Sequence, residues 1–151
     1  VLSGYSPGGS NALPKVLSYN AIPTVGNGIV SELAKIDLTA QTANIGTTTA
    51  YAVPASGAGE YRIHLYEIVT SVGTTSTLPT VVITWTDRNN NTVQTLNIAP
   101  GSPTGNTLTT LNVNSLPINA KASTNITYST TGYASTGTPM QYALLISIEA
   151  L

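Results

Sequence analysis

The sequence predicts an all-β fold, an antiparallel β-sandwich of jelly-roll type with an extended N-terminal arm. Three observations predict it. From Lys35 onward, short stretches alternate apolar and polar residues, which is the period of a strand with one buried face. Gly, Pro and Asn separate these stretches at short intervals, as tight turns require. No stretch sustains a helical period: "GIVSELAKI" is the nearest, and it runs straight into strand-like sequence. Eight or nine strands at this spacing favour a jelly roll among the sandwiches and barrels.

The elements follow in chain order. Residues 1–34 form the expected arm, broken by Pro7, Pro14 and Pro23 and by Gly4, Gly8, Gly9, Gly26 and Gly28. Proline removes donors and glycine breaks regular structure. Yet Leu13, Val16, Leu17, Tyr19, Ile22, Val25, Ile29 and Val30 give the arm apolar teeth. Such a segment lies on something, either its own domain or a neighbouring copy. Residues 35–151 form the expected domain. "KIDLTA" places Ile36, Leu38 and Ala40 on one face, and "IGTTTAYAV" ends at Pro54. "EYRIHLYEIVTS" sets Tyr61, Ile63, Leu65 and Val69 against Arg62, His64, Tyr66 and Ile68. "PTVVITWTD", the turn "DRNNN" and "TVQTLNI" read as a hairpin, since Asn and Asp tolerate the left-handed backbone of a tight turn. "TLTTLNV", "LPINAK" and "TNITYST" follow as strands, and "TGYASTGTP" as a loop. In the closing strand, Tyr142, Leu144, Ile146 and Ile148 share one face.

Composition narrows the function. Charged residues make up 7% of the chain, against roughly 25% in ordinary soluble domains. The net charge is −1 with no basic stripe, which argues against nucleic-acid binding by phosphate neutralisation. Thr, Ser and Asn take the place of charges, a surface that repels its own copies weakly. No apolar run reaches the roughly 18 residues of a membrane span. There is no cysteine, hence no disulfide, thiolate metal site or cysteine nucleophile. The chain opens on Val1 without a methionine, and its first residues lack the regions of a signal peptide. That fits either processing of a leader or a sequence that starts within a longer chain.

Catalytic constellations are hard to assemble from these residues. His64 is the single histidine and cannot by itself complete a usual zinc shell. No G-x-S-x-G elbow accompanies it for a serine triad. Glu60 and Glu67 lie seven residues apart on one strand, thus on opposite faces and about 23 Å apart, too far for a glycosidase pair. Glu149 reads as a rim residue, paired with Arg62 or Lys121. "DRNNN" lacks the ligand spacing of a calcium loop. The expectation is a non-enzyme with no cofactor and no metal. Tyr61, Tyr66, Trp85, Tyr128, Tyr133 and Tyr142 are the candidate interface or core aromatics.

The ordered blocks "IDLTAQ", "TTAYAVP", "GEYR" and "TWTD", with the close "ITYSTTGYASTGTPMQYALLISIEAL", resemble a family of structural proteins from tailed-phage virions and prophages. The resemblance covers residues 35–151. It implies a jelly-roll-like module that assembles as a trimer on a tail fibre, head fibre or capsid surface, and it carries no catalytic residues. The implied partners are other copies of the chain, other virion proteins and a host surface glycan. Two rivals stand beside it. In one, the chain is an extracellular filament subunit whose arm inserts as a strand into the next copy. In the other it is a carbohydrate-binding module stacking sugars on Trp85 and Tyr133, a reading that loses its best residue if Trp85 is buried, as its alternation with Val81 and Ile83 suggests.

Overall fold

The computed structural model describes residues 31–151. The arm residues Leu13, Val16, Leu17, Tyr19, Ile22, Val25, Ile29 and Val30 lie outside the described residues. The described chain is all β: β1 (Ser31–Gln41), β2 (Thr48–Ala52), β3 (Gly59–Ser71), β4 (Thr75–Thr77), β5 (Thr80–Thr86), β6 (Val93–Ile98), β7 (Thr110–Ala120), β8 (Asn125–Thr131), β9 (Ala134–Thr136) and β10 (Gln141–Ala150). Ser31–Gln41 is a single strand, so residues 31–34, assigned to the arm on sequence, pair with β10 instead.

Eight of these strands form two four-stranded antiparallel sheets, ordered β1-β10-β3-β7 and β2-β8-β5-β6. The pairing is nested. β5 pairs with β6, β3 with β7, β2 with β8, and β1 with β10. A long antiparallel ribbon closed at the β5–β6 turn has been rolled up, and two lateral seams, β10 with β3 and β8 with β5, hold the roll shut. That is the jelly roll the sequence predicts. The short strands β4 and β9 pair separately at one end. They are too short to carry an alternation, and β9 lies within the stretch expected to be a loop.

Two expectations change in detail. The alternation of "KIDLTA" sets Ala40 on one face with Ile36 and Leu38. The pairing with β10 shifts between Leu38 and Gln41, Ala40 takes a φ of 53°, and its side chain is exposed. A β-bulge there inserts one residue and flips the parity. "TLTTLNV" and "LPINAK" are not separate strands. The end of the first and most of the second belong to β7, which runs through Pro117 with a bulge between Val113 and Leu116. Proline survives in β7 because β7 is an edge strand.

The core lies between the sheets. Alternate residues of β3, β5, β8 and β10 fill it, with Ile63, Leu65, Val81, Ile83, Ile126, Leu144, Ile146 and Ile148 almost wholly buried. Leu78, Met140 and Tyr142 close the end that carries β4 and β9. At that end Gly105 is required by space, because a Cβ there would run into Met140 Sδ and Ser76.

Candidate functional site

The surfaces of the two sheets are built from opposite materials. On the first sheet, alternation turns Glu60, Arg62, His64 and Tyr66 of β3 away from the core. Register then sets Arg62 beside Glu149 and His64 beside Ser147 on β10, and Lys35 of β1 beside Ser147. Glu149 Oε2 lies 3.1 Å from His64 Nε2 and 3.7 Å from Arg62 Nε. The glutamate thus pairs with Arg62, one of its expected partners, and also with the histidine. His64, Tyr66, Asn112, Asn114 and Ser147 line a shallow depression of about 80 Å³ where β7 bulges.

The second sheet carries no charged residue on any strand. Its outward residues are chiefly Thr, Ser and Asn. One row crosses the whole sheet in register, Thr49 to Thr127 to Thr84 to Thr95. The hairpin at its edge is braced locally. Asp87 Oδ1 accepts from the backbone N–H of Asn89 and Asn90, and Asn90 Oδ1 accepts from the Thr92 N–H and hydroxyl. Asn91 supplies the left-handed residue at φ 59°.

The candidate aromatics separate by position. Tyr61, Tyr128 and Tyr142 are core residues. The Tyr61 hydroxyl donates to the Gly57 carbonyl, and its ring packs against Tyr51 at 5.7 Å. Burial, with Tyr51 second, pushes the Tyr61 phenol up. Tyr133 is half-buried, donates to the Met140 carbonyl at 2.7 Å and packs against Tyr142. Trp85 is half-buried on the inward side of β5, and its Nε1 is buried without a partner among the described residues. Tyr66 is the exposed member, at 38%. Trp85 and Tyr133 are not brought together. Thr80, at the start of β5, pairs with Thr131 near Tyr133, whereas Trp85 stands at the far end of β5. A stacking platform of those two rings is therefore absent.

A polar thread runs through one end of the core. The Ile45 N–H donates to Thr130 Oγ1, Thr130 Oγ1 lies 3.1 Å from the Tyr142 hydroxyl, and that hydroxyl donates to the Ala43 carbonyl. Since the Tyr142 hydrogen is used on Ala43, Thr130 is the donor between the two hydroxyls. Burial raises the Tyr142 phenol above its ordinary value, partly offset by Thr130, with Glu67 and Tyr133 adding to the rise.

Glu67 is the residue that sequence reasoning missed. It is wholly buried, and neither carboxylate oxygen has a partner among the described residues. Burial pushes its carboxyl up to about 8, because a charge in a low-dielectric interior costs more than a neutral acid. The signal was present: Glu67 has the parity of Tyr61, Ile63, Leu65 and Val69.

No group of three His, Cys, Asp or Glu among the described residues is placed to hold a metal ion. At the end of the sandwich opposite Tyr142, a cleft of about 400 Å³ is lined by Leu33, Tyr51, Pro54, Tyr61 and Leu151, among others.

No protein-family model matches the chain, and no curated protein matches it. Among solved structures it is similar to a chain in the structure of infectious bursal disease virus, Gx strain. The two are 9% identical with a TM-score of 0.44, over 81% of this chain and 33% of the viral one. It is also similar to the Bacillus endospore appendages described as a novel family of disulfide-linked pili. There the identity is 17% and the TM-score 0.39, over 85% of this chain and 96% of the other. This chain spans about a third of the length of the viral chain it matches.

Proposed function

We propose that this protein is a non-enzymatic structural subunit that assembles with its own copies, as a fibre or capsid-surface module of a tailed-phage virion. The observation that carries this reading is the uncharged outer face of the β2-β8-β5-β6 sheet, with its threonine row from Thr49 to Thr95. Net charge keeps soluble proteins apart. A sheet face made of hydroxyls and amides offers no such repulsion and can lie against its neighbours at high density. The charged face of the other sheet, with Glu149, Arg62 and His64, then meets solvent. In this reading the N-terminal residues tether the module to the particle or to neighbouring copies, and the site of action is the virion surface, where a host glycan is a further partner.

A symmetric trimer would make the contact closed. An extracellular filament subunit would use the same materials with a contact that does not close. The purified chain's mass by light scattering, with negative-stain imaging, tests both. A discrete trimer supports the virion module, and long fibres move the reading to the filament. A monomer at every concentration would sink the assembly role.

A further inference from the structure

We propose that the free edge of β6 is the docking edge of this protein, and that it takes residues 15–22 of a second copy as an added antiparallel strand. This rests on the assembly role proposed above.

Four strands form the sheet edges: β1 and β7 in one sheet, β2 and β6 in the other. An edge offers a row of unpaired N–H and C=O groups, and proteins block such rows with charge, proline, bulges or shortness. Three of the four edges are blocked in these ways. β1 carries Lys35 and Asp37 and is irregular after Glu32 and after Leu38. β7 contains Pro117 and a bulge after Val113. β2 is interrupted by a bulge between Thr49 and Tyr51.

β6 is the edge strand with no charge, proline or bulge along its length. Val-Gln-Thr-Leu-Asn-Ile pairs with β5 without a register break, from Val93 opposite Thr86 to Ile98 opposite Val81. It has no charge and no proline. Its other side has no strand partner among the described residues. The braced turn at Asp87 and Asn90 already holds this edge in place, so docking there costs little ordering.

The chain outside the described residues supplies one suitable strand. Among residues 1–30, "KVLSYNAI" at 15–22, bounded by Pro14 and Pro23, is the longest run free of both proline and glycine. Its one charge, Lys15, stands at the end of the run. Leu17, Tyr19 and Ala21 alternate with Val16, Ser18, Asn20 and Ile22, which matches the alternation of half-buried Gln94, Leu96 and Ile98 with exposed Val93, Thr95 and Asn97. Added to β6, the strand would extend the inner face beside the half-buried Leu96 and Ile98. Residues 23–30 then span up to about 28 Å between the docked strand and β1 of the donor copy, enough to link neighbouring molecules.

The test uses the full chain. Thr95→Lys with Asn97→Lys places two charges on exposed outward positions of β6, and Leu17→Asp with Tyr19→Asp disrupts the donor run. Each pair is expected to weaken association measured by light scattering by about tenfold or more, with an unchanged far-ultraviolet circular dichroism spectrum. The chain has no cysteine, so a Ser18→Cys chain mixed with an Asn97→Cys chain should give a covalent dimer on oxidation. Assembly unaffected by the aspartates, or a mixture that forms no crosslink between positions 18 and 97, overturns the docking edge and leaves the assembly role standing, whereas the lysines also charge the threonine row and so test both contacts. A crosslink that forms only within one doubly substituted chain also overturns it, because the strand would then serve its own molecule. A wild-type chain that is monomeric throughout removes the assembly role itself.

Discussion

The outer face of the β1-β10-β3-β7 sheet carries Glu32, Lys35, Asp37, Glu60, Arg62 and Glu149 together with His64, whereas the strands of the β2-β8-β5-β6 sheet carry no charge at all. Both sheets have inner faces of the same kind, so the core does not require this division. Solvation explains the charged face. The neutral face has given up the self-repulsion that keeps surfaces apart, which fits a face that meets other protein. In a chain so poor in charge, where the few charges stand says more than their sum.

The sharpest exception to that division is Glu67, a charge-bearing residue of the first sheet that points into the core. Its carboxyl sits at about 8 in the fold against an ordinary 4.5. The folded state therefore holds the proton more tightly than the unfolded chain. Its penalty is absent below pH 4.5, grows as the pH rises toward 8, and is constant above that. Denaturation at pH 4 and pH 9 should differ by up to about 5 kcal/mol from this group. Glu67→Gln should flatten that slope, and an unchanged slope in the variant would rule out Glu67 as its source.

A smaller effect is expected where the two sheets are stitched together. Tyr142→Phe removes the hydroxyl between Thr130 and the Ala43 carbonyl and should cost about 1–3 kcal/mol by leaving buried polar groups unpaired. A cost near zero in chemical denaturation would mean that the thread carries no stability. At the edge of the neutral sheet, Asp87→Ala releases the backbone N–H groups of Asn89 and Asn90. Because those groups face water, the loss should be about 1 kcal/mol, with faster amide exchange across β6 as the local sign. On the charged face, Glu149→Gln should change stability by less than about 1 kcal/mol, and the change should vanish in 1 M salt, since exposed pairs are screened. A larger, salt-resistant loss would show that this pair is structural.

The alternation in β3 and β10 made the jelly roll legible before any coordinates. Tyr142, Leu144, Ile146 and Ile148 point inward, as their spacing requires. What stayed hidden had local causes. The bulge at Ala40 inserts one residue, and periodicity cannot signal an insertion. The bulge between Val113 and Leu116 broke β7 into two apparent strands, because an inserted residue interrupts the alternation. β4 and β9 span 3 residues each, less than two periods of alternation. Glu67 was passed over because its charge outweighed its parity. At the surface, sequence narrowed the partner of Glu149 to Arg62 or Lys121, and register selects Arg62. The charge-free face could not be read from sequence, because the threonine row exists only once four strands are in register.

The nested pairing also constrains how the chain acquires its shape in time. Among the described strands β1 bonds only to β10, Ser31 opposite Ala150 and Leu38 opposite Leu144. Of the described strands β1 leaves the ribosome first, and it waits, its apolar side uncovered, until β10 follows. Closing so long a loop is entropically slow, and contacts of this sequence separation place folding among the slower β topologies. The roll can therefore close only after translation has passed Ala150. Until then the nascent chain presents strands without mates, and chaperone binding or premature pairing between neighbouring ribosomes would compete with folding.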